Sequence, residues 1–136
     1  MEKSTLGHIV AWVNLKNLDF YKELFNFLQW DVLYDDPNML GVGDANGNSL
    51  WFGAALKEHA NDYDGVGVNH IGISVKKQAD VDETVEYLKK HGTPALFETP
   101  RHRPEFSGPN STYYQVMFES PDRLLLEVVY TGPKAA

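Results

Sequence analysis

Apolar and polar positions alternate over residues 7–15. Ile9, Ala11 and Val13 fall on one face of a strand, and His8, Val10 and Trp12 on the other. The period then lengthens. Leu18, Tyr21, Leu24, Phe25 and Leu28 recur at helical spacing and predict a helix from about Asn17 to about Gln29. Asn17 is the expected N-cap, and Asp19 suits the positive end of the helix dipole. So broad and aromatic a stripe should pack on a sheet. Three short strands follow, at Val32–Tyr34, Met39–Gly43 and Ser49–Gly53. Turn-forming residues separate them, and Asn46-Gly47 readily takes positive φ between the last two. The module reads βαβββ.

A polar connector, residues 54–68, leads to a second copy of the pattern. Asn69–Val75 reads as a strand with His70 where the first module has His8. A helix is expected from near Asp80, with Glu83 completing a pair that resembles a capping box. Its apolar stripe is Val81, Val85 and Leu88, and Gly92 closes it. A strand near Ala95–Glu98 precedes a long loop, 99–112, that contains three prolines. Strands at Tyr113–Phe118 and Leu124–Tyr130 complete the module, and residues 131–136 carry no structural signal. The expectation is an α+β fold of two βαβββ modules, about 6–54 and about 68–131, within a single domain spanning 1–136.

Composition narrows the function. The chain has 136 residues, a net charge of −7 and no dense basic run, which argues against nucleic acid and anionic membranes as main partners. No apolar run approaches membrane-spanning length, and Met1–Thr5 is not followed by the apolar core of a signal peptide. A cytoplasmic protein is the expectation. With no cysteine there is no disulfide, thiolate nucleophile or thiolate metal site.

Three polar residues break the pattern. Glu127 interrupts the apolar run Leu124–Val129, and a buried lone carboxylate is costly. It must face solvent, pair with a cation, or bind a metal. His8 and His70 hold equivalent places in the two modules. Two imidazoles and one carboxylate leave coordination positions open for substrate, a donor set used by Fe(II) and open to Zn(II), Mn(II) and Ni(II). If these side chains face inward together with Trp51 and Met117, strand parity brings Trp12, Tyr113 and Gln115 to the same side. The result would be a mostly apolar cup for a small oxygenated organic substrate. The same aromatics suit a plain core equally well. Arg101 and Arg103 are either contacts for an anionic group or solvated loop charges.

Gly7-His8-Ile9, Asn17–Leu24, Asn69–Val75 and Phe118–Glu127 occur in an order and spacing that resembles the vicinal oxygen chelate superfamily. This is the glyoxalase, bleomycin-resistance and extradiol dioxygenase fold. The resemblance implies paired modules forming a cupped mixed sheet around a divalent metal, with His8, His70 and Glu127 as ligands, and a homodimer. It also exposes departures. Counting from the turns places Trp51 opposite Glu127, where glyoxalase I-like members carry a fourth ligand, so glyoxalase I activity itself is not expected. Met117 stands where ring-cleaving dioxygenases usually carry Tyr, and Val10 where fosfomycin-modifying members carry Thr. The expected function is that of a metal-dependent lyase, isomerase or dioxygenase in which the metal acts as Lewis acid, with no catalytic base assigned. The alternative is a metal-free protein of the same fold that sequesters a small molecule or antibiotic.

Overall fold

The computed structural model describes residues 1–135. In the first half, β1 (His8–Val13) leads through a 3-10 turn, Leu15–Asn17, into α1 (Leu18–Phe27). Then come β2 (Asp31–Asp36), β3 (Met39–Gly43) and β4 (Ser49–Ala54). The sheet order is β1-β4-β3-β2; β1 runs parallel to β4, and the other pairs are antiparallel. The helical stripe behaves as its spacing predicts, with Tyr21, Leu24 and Phe25 fully buried. Tyr21 stacks on Phe52 with ring centroids 4.3 Å apart. Val13, Leu40, Val42 and Leu50 complete this core. Burial of each such side chain is worth about 1.5–3 kcal/mol. The expected cap moves by one turn. Asn14 Oδ1 accepts from the Lys16 N–H at 3.2 Å, because the 3-10 turn starts the helical segment before Asn17.

The second half repeats this topology with β5 (Ile71–Val75), α2 (Gln78–Lys90), β6 (Leu96–His102), β7 (Ser111–Glu119) and β8 (Leu125–Pro133). The order is β5-β8-β7-β6, again with a single parallel pair, β5 and β8. Ile73, Val81, Leu88, Val116, Phe118, Leu126 and Val128 are buried. Boundaries shift in four places. Asn69 and His70 precede β5 rather than belonging to it. Helix α2 starts at Gln78, and Asp80 caps it from its third position by accepting from the Lys77 N–H at 3.0 Å. Strand β6 continues through the proline-bearing stretch to His102, and a 3-10 turn, Pro104–Phe106, follows. The tail also pairs, since Thr131, Gly132 and Pro133 oppose Tyr113, Thr112 and Ser111.

Two compact units result, Met1–Ala60 and the chain from Asn61 onward. Part of the polar connector belongs to the second. Asn61 Nδ2 donates to the Arg123 carbonyl at 2.8 Å. Tyr63 is 7% exposed in a cluster with Met117, Leu125 and Leu96, its hydroxyl bonds Glu119, and the Arg123 guanidinium lies 5.1 Å from its ring centroid. Residues 61–69 therefore form a strap fixed to one end of the sheet.

Candidate functional site

Glu127 sits near the start of β8, between Gly72 on β5 and Met117 on β7. It is 3% exposed. A buried carboxylate must be compensated, and neighbouring strands supply the donors. The Tyr113 hydroxyl lies 3.0 and 2.9 Å from its two oxygens. Gln115 Nε2 donates to Oε2. The Gln115 amide is oriented in turn by Arg103, whose Nη1 donates to Gln115 Oε1 at 2.9 Å. Gly72 leaves the carboxylate room, since a Cβ there would stand 3.0 Å from Glu127 Oε1.

The same cluster acts on Tyr113. Burial, then the hydrogen bond and charge of Glu127, push its phenol up to about 12, while Arg103 pulls the other way. Tyr113 is therefore a neutral donor across the ordinary pH range. Phe106 packs edge-on against its ring with centroids 5.3 Å apart, and the Arg103 guanidinium lies 4.9 Å from the Phe106 centroid. Arg103 also pairs with Glu105. Arg101 is opposite Gln115 in the register, with Nη1 3.6 Å from Glu98 and a buried Nε that has no partner among the described residues.

His70 completes the cluster from just before β5. Its Nε2 is 3.6 Å from Glu127 Oε1, too far for a hydrogen bond. Its Nδ1 is 2.7 Å from Asn69 Oδ1, and Asn69 Nδ2 donates to the Tyr63 carbonyl at 2.9 Å. A carbonyl only accepts, so the Asn69 amide must turn its NH2 toward Tyr63 and its oxygen toward His70. That oxygen needs a proton on Nδ1. In a neutral ring, Nε2 then carries a lone pair facing a carboxylate oxygen. A small cleft of about 140 Å³ adjoins His70, with Val66, Val68, Leu124 and Leu125 in its wall.

In the first unit, Trp51 holds the register place that Glu127 holds in the second. It opposes Val10 and Gly41, as Glu127 opposes Gly72 and Met117. Its Nε1 donates to Ser49 Oγ at 2.9 Å, and its ring covers Gly41. His8 is exposed at the start of β1, opposite Ser49. Val10 and Trp12 are about half exposed on the same face. A larger cleft of about 560 Å³ lies beside Asp19, Lys22, Asp35 and Leu40 and includes none of the candidate ligands. Among the described residues, no three His, Cys, Asp or Glu side chains group at metal-binding spacing. Of the proposed triad, the structure thus brings together His70 and Glu127, and adds Tyr113, Gln115 and Arg103. Met117, an expected lining residue, is buried under Tyr63. Tyr63 and Phe106 carry no signal in the sequence because both lie in irregular segments without periodicity.

The family model for the Glyoxalase/Bleomycin resistance protein/Dioxygenase superfamily matches residues 5–128. The chain belongs to this superfamily. Solved structures of the glyoxalase superfamily share the fold. A provisionally assigned glyoxalase from Bacillus halodurans has a TM-score of 0.78 at 24% identity, covering 94% of this chain and 96% of that one. Lactoylglutathione lyase from Agrobacterium tumefaciens gives 0.65 at 17%, covering 96% of each chain. A Glu-to-Gln mutant of the fosfomycin resistance protein FosX from Listeria monocytogenes, in complex with Mn(II) and 1S,2S-dihydroxypropylphosphonic acid, gives 0.63 at 23%, covering 93% of this chain and 90% of that one. No curated protein matches the chain significantly.

Proposed function

We propose that this superfamily member is a divalent-metal-dependent enzyme acting on a small oxygenated organic substrate, with His8, His70 and Glu127 as metal ligands. The observation that carries the reading is the pair His70 and Glu127. Asn69 leaves His70 Nε2 without a proton in the neutral ring, 3.6 Å from a buried carboxylate oxygen. Two neighbouring lone-pair donors of this kind suit a cation, and the imidazole–carboxylate chemistry fits Fe(II), Mn(II), Zn(II) or Ni(II). Such an ion, when bound, supplies Lewis-acid polarisation of a substrate oxygen.

The chain's own residues supply the rest. Gln115 and Tyr113 hold Glu127 in one orientation. The Tyr113 hydroxyl, kept neutral with its pKa pushed up to about 12, gives its one proton to Glu127 and so fixes the carboxylate at the edge of the site. Arg103, held over Phe106, and Arg101 place positive charge beside the cluster and suit an anionic group on the substrate. Trp51 has no ionisable oxygen at the register place of Glu127, so the proposal covers lyase, isomerase or dioxygenase chemistry but not glyoxalase I activity. The Mn(II) and phosphonate diol bound by FosX support Mn(II) as the first ion to test. A cytoplasmic homodimer belongs to the same proposal; among the described residues no helix is long and apolar enough to cross a membrane.

The test is calorimetric titration of the metal-free protein with Mn(II), Zn(II), Ni(II) and, anaerobically, Fe(II). Wild type should bind one ion, and Glu127→Gln and His8→Ala should lose tight binding. Full occupancy in both variants would show that the ligands are wrongly assigned. Oxygen uptake with Fe(II) would select dioxygenase chemistry. A second reading, a metal-free binding protein, draws on the exposed aromatics Trp12 and Tyr34 and the half-buried Trp51 beside Tyr34. Quenching of tryptophan fluorescence by aromatic ligands in the presence of chelator would support it.

A further inference from the structure

We infer that Asn69 is a positioning residue that selects the His70 tautomer and so keeps Nε2 free to act as a ligand. The inference rests on the reading of His70 as a metal ligand. Two acceptors compete for the one proton of the neutral ring. Asn69 Oδ1 lies 2.7 Å from Nδ1, and Glu127 Oε1 lies 3.6 Å from Nε2. Left to itself, the carboxylate is the stronger acceptor, since hydrogen bonds to an ionised group are about twice as strong as neutral ones. A small ring rotation would then give an Nε2–H bond to Glu127 and occupy both proposed ligands with each other.

Asn69 prevents this because its own orientation is fixed from outside the site. Its NH2 is committed to the Tyr63 carbonyl at 2.9 Å. Three contacts hold Tyr63 in place: the ring is buried with Met117 and Leu125, the hydroxyl bonds Glu119, and Arg123 covers the ring. Asn61 ties the same strap to the Arg123 carbonyl. The strap therefore sets the amide, the amide sets the proton, and the proton sets which nitrogen faces Glu127. Partners of ligating histidines commonly act in this way, and their loss costs about 10–100-fold in metal affinity.

The experiment is a long-range 1H–15N correlation spectrum of metal-free protein with 15N-labelled histidine, at a pH where imidazoles are neutral. The His70 signals are identified with the His70→Gln variant. Wild type should show the proton on Nδ1. Asn69→Leu should move it to Nε2, where Glu127 accepts it, and should weaken Mn(II) binding about 10–100-fold. Asn69→Asp keeps an acceptor for Nδ1–H and should keep the wild-type tautomer. Wild-type protein with the proton on Nε2, or a folded Asn69→Leu with an unchanged tautomer, would overturn the inference. The wild-type spectrum decides even if Asn69→Leu does not fold. A tautomer that responds as stated in a protein that binds no metal would leave Asn69 in this role and sink the metal reading alone.

Discussion

Trp51 and Glu127 hold the same register position in the two repeats. Trp51 opposes Val10, two residues after His8, and Glu127 opposes Gly72, two residues after His70. The residues across the antiparallel neighbour differ in a matching way: Gly41 lies beneath Trp51 and Met117 beside Glu127. A Cβ on Gly41 would stand 2.5 Å from the Trp51 ring. Gly41→Ala should therefore destabilise the protein by about 1–3 kcal/mol through overpacking. Urea denaturation measures it. The cost should largely vanish in a Trp51→Ala background, and an additive double mutant would show that the ring does not lie over Gly41.

Tyr113 makes a prediction at high pH. Its phenol titrates near 10 unfolded and about 12 folded, so the folded state holds the proton more tightly. The stabilisation is complete below pH 10 and is lost as pH rises from about 10 to about 12. Tyr114, raised to about 12 by burial and by Asp82, contributes in the same window. Tyr113→Phe should lose the first contribution and keep the second. Its stability should fall less steeply above pH 10 than that of wild type. At neutral pH it should be less stable by about 1–3 kcal/mol, because Glu127 loses a buried donor.

Metal removal gives a third test. A saturating divalent ion at about 100 times its dissociation constant should add about 2.7 kcal/mol to the stability of the native state. Thermal unfolding with Mn(II) and with excess chelator should differ accordingly for wild type. Glu127→Gln should unfold at the same temperature under both conditions.

Tyr63 tests the strap. Tyr63→Ala would open a cavity against Met117 and Leu125 and should cost about 3–5 kcal/mol, as large aromatic truncations do. Tyr63→Phe keeps the ring and removes only the bond to Glu119, so a loss of about 1 kcal/mol is expected. Chemical denaturation separates the two.

Strand alternation makes most of this fold legible in the amino-acid sequence. Ile9, Ala11 and Val13, or Tyr113, Gln115 and Met117, share a face simply because side chains alternate. The edges are harder to read. Pro100 argues for a loop, yet β6 is an edge strand, where a missing N–H costs no ladder bond. Gly132 and Pro133 hide the end of β8, which pairs with β7 alone there. The site divides in the same way. Glu127, Tyr113 and Gln115 lie on strands whose alternation can be read, whereas His70 stands just before β5, and Tyr63 and Phe106 act from segments with no period to read. Asn69 is visible in the sequence only as a neighbour of His70; its role depends on a carbonyl six residues away.

Gly41 beneath Trp51 also bears on how this repeat could change over generations. Replacing Trp51 with an acidic residue would leave an empty hollow over Gly41 and a carboxylate without the amide donor that Glu127 has, because Met39 holds the register place of Gln115 in the first repeat. Filling the hollow first would clash with the indole. Neither substitution is favourable alone, so an acidic residue at position 51 would need the change at Gly41 to accompany it.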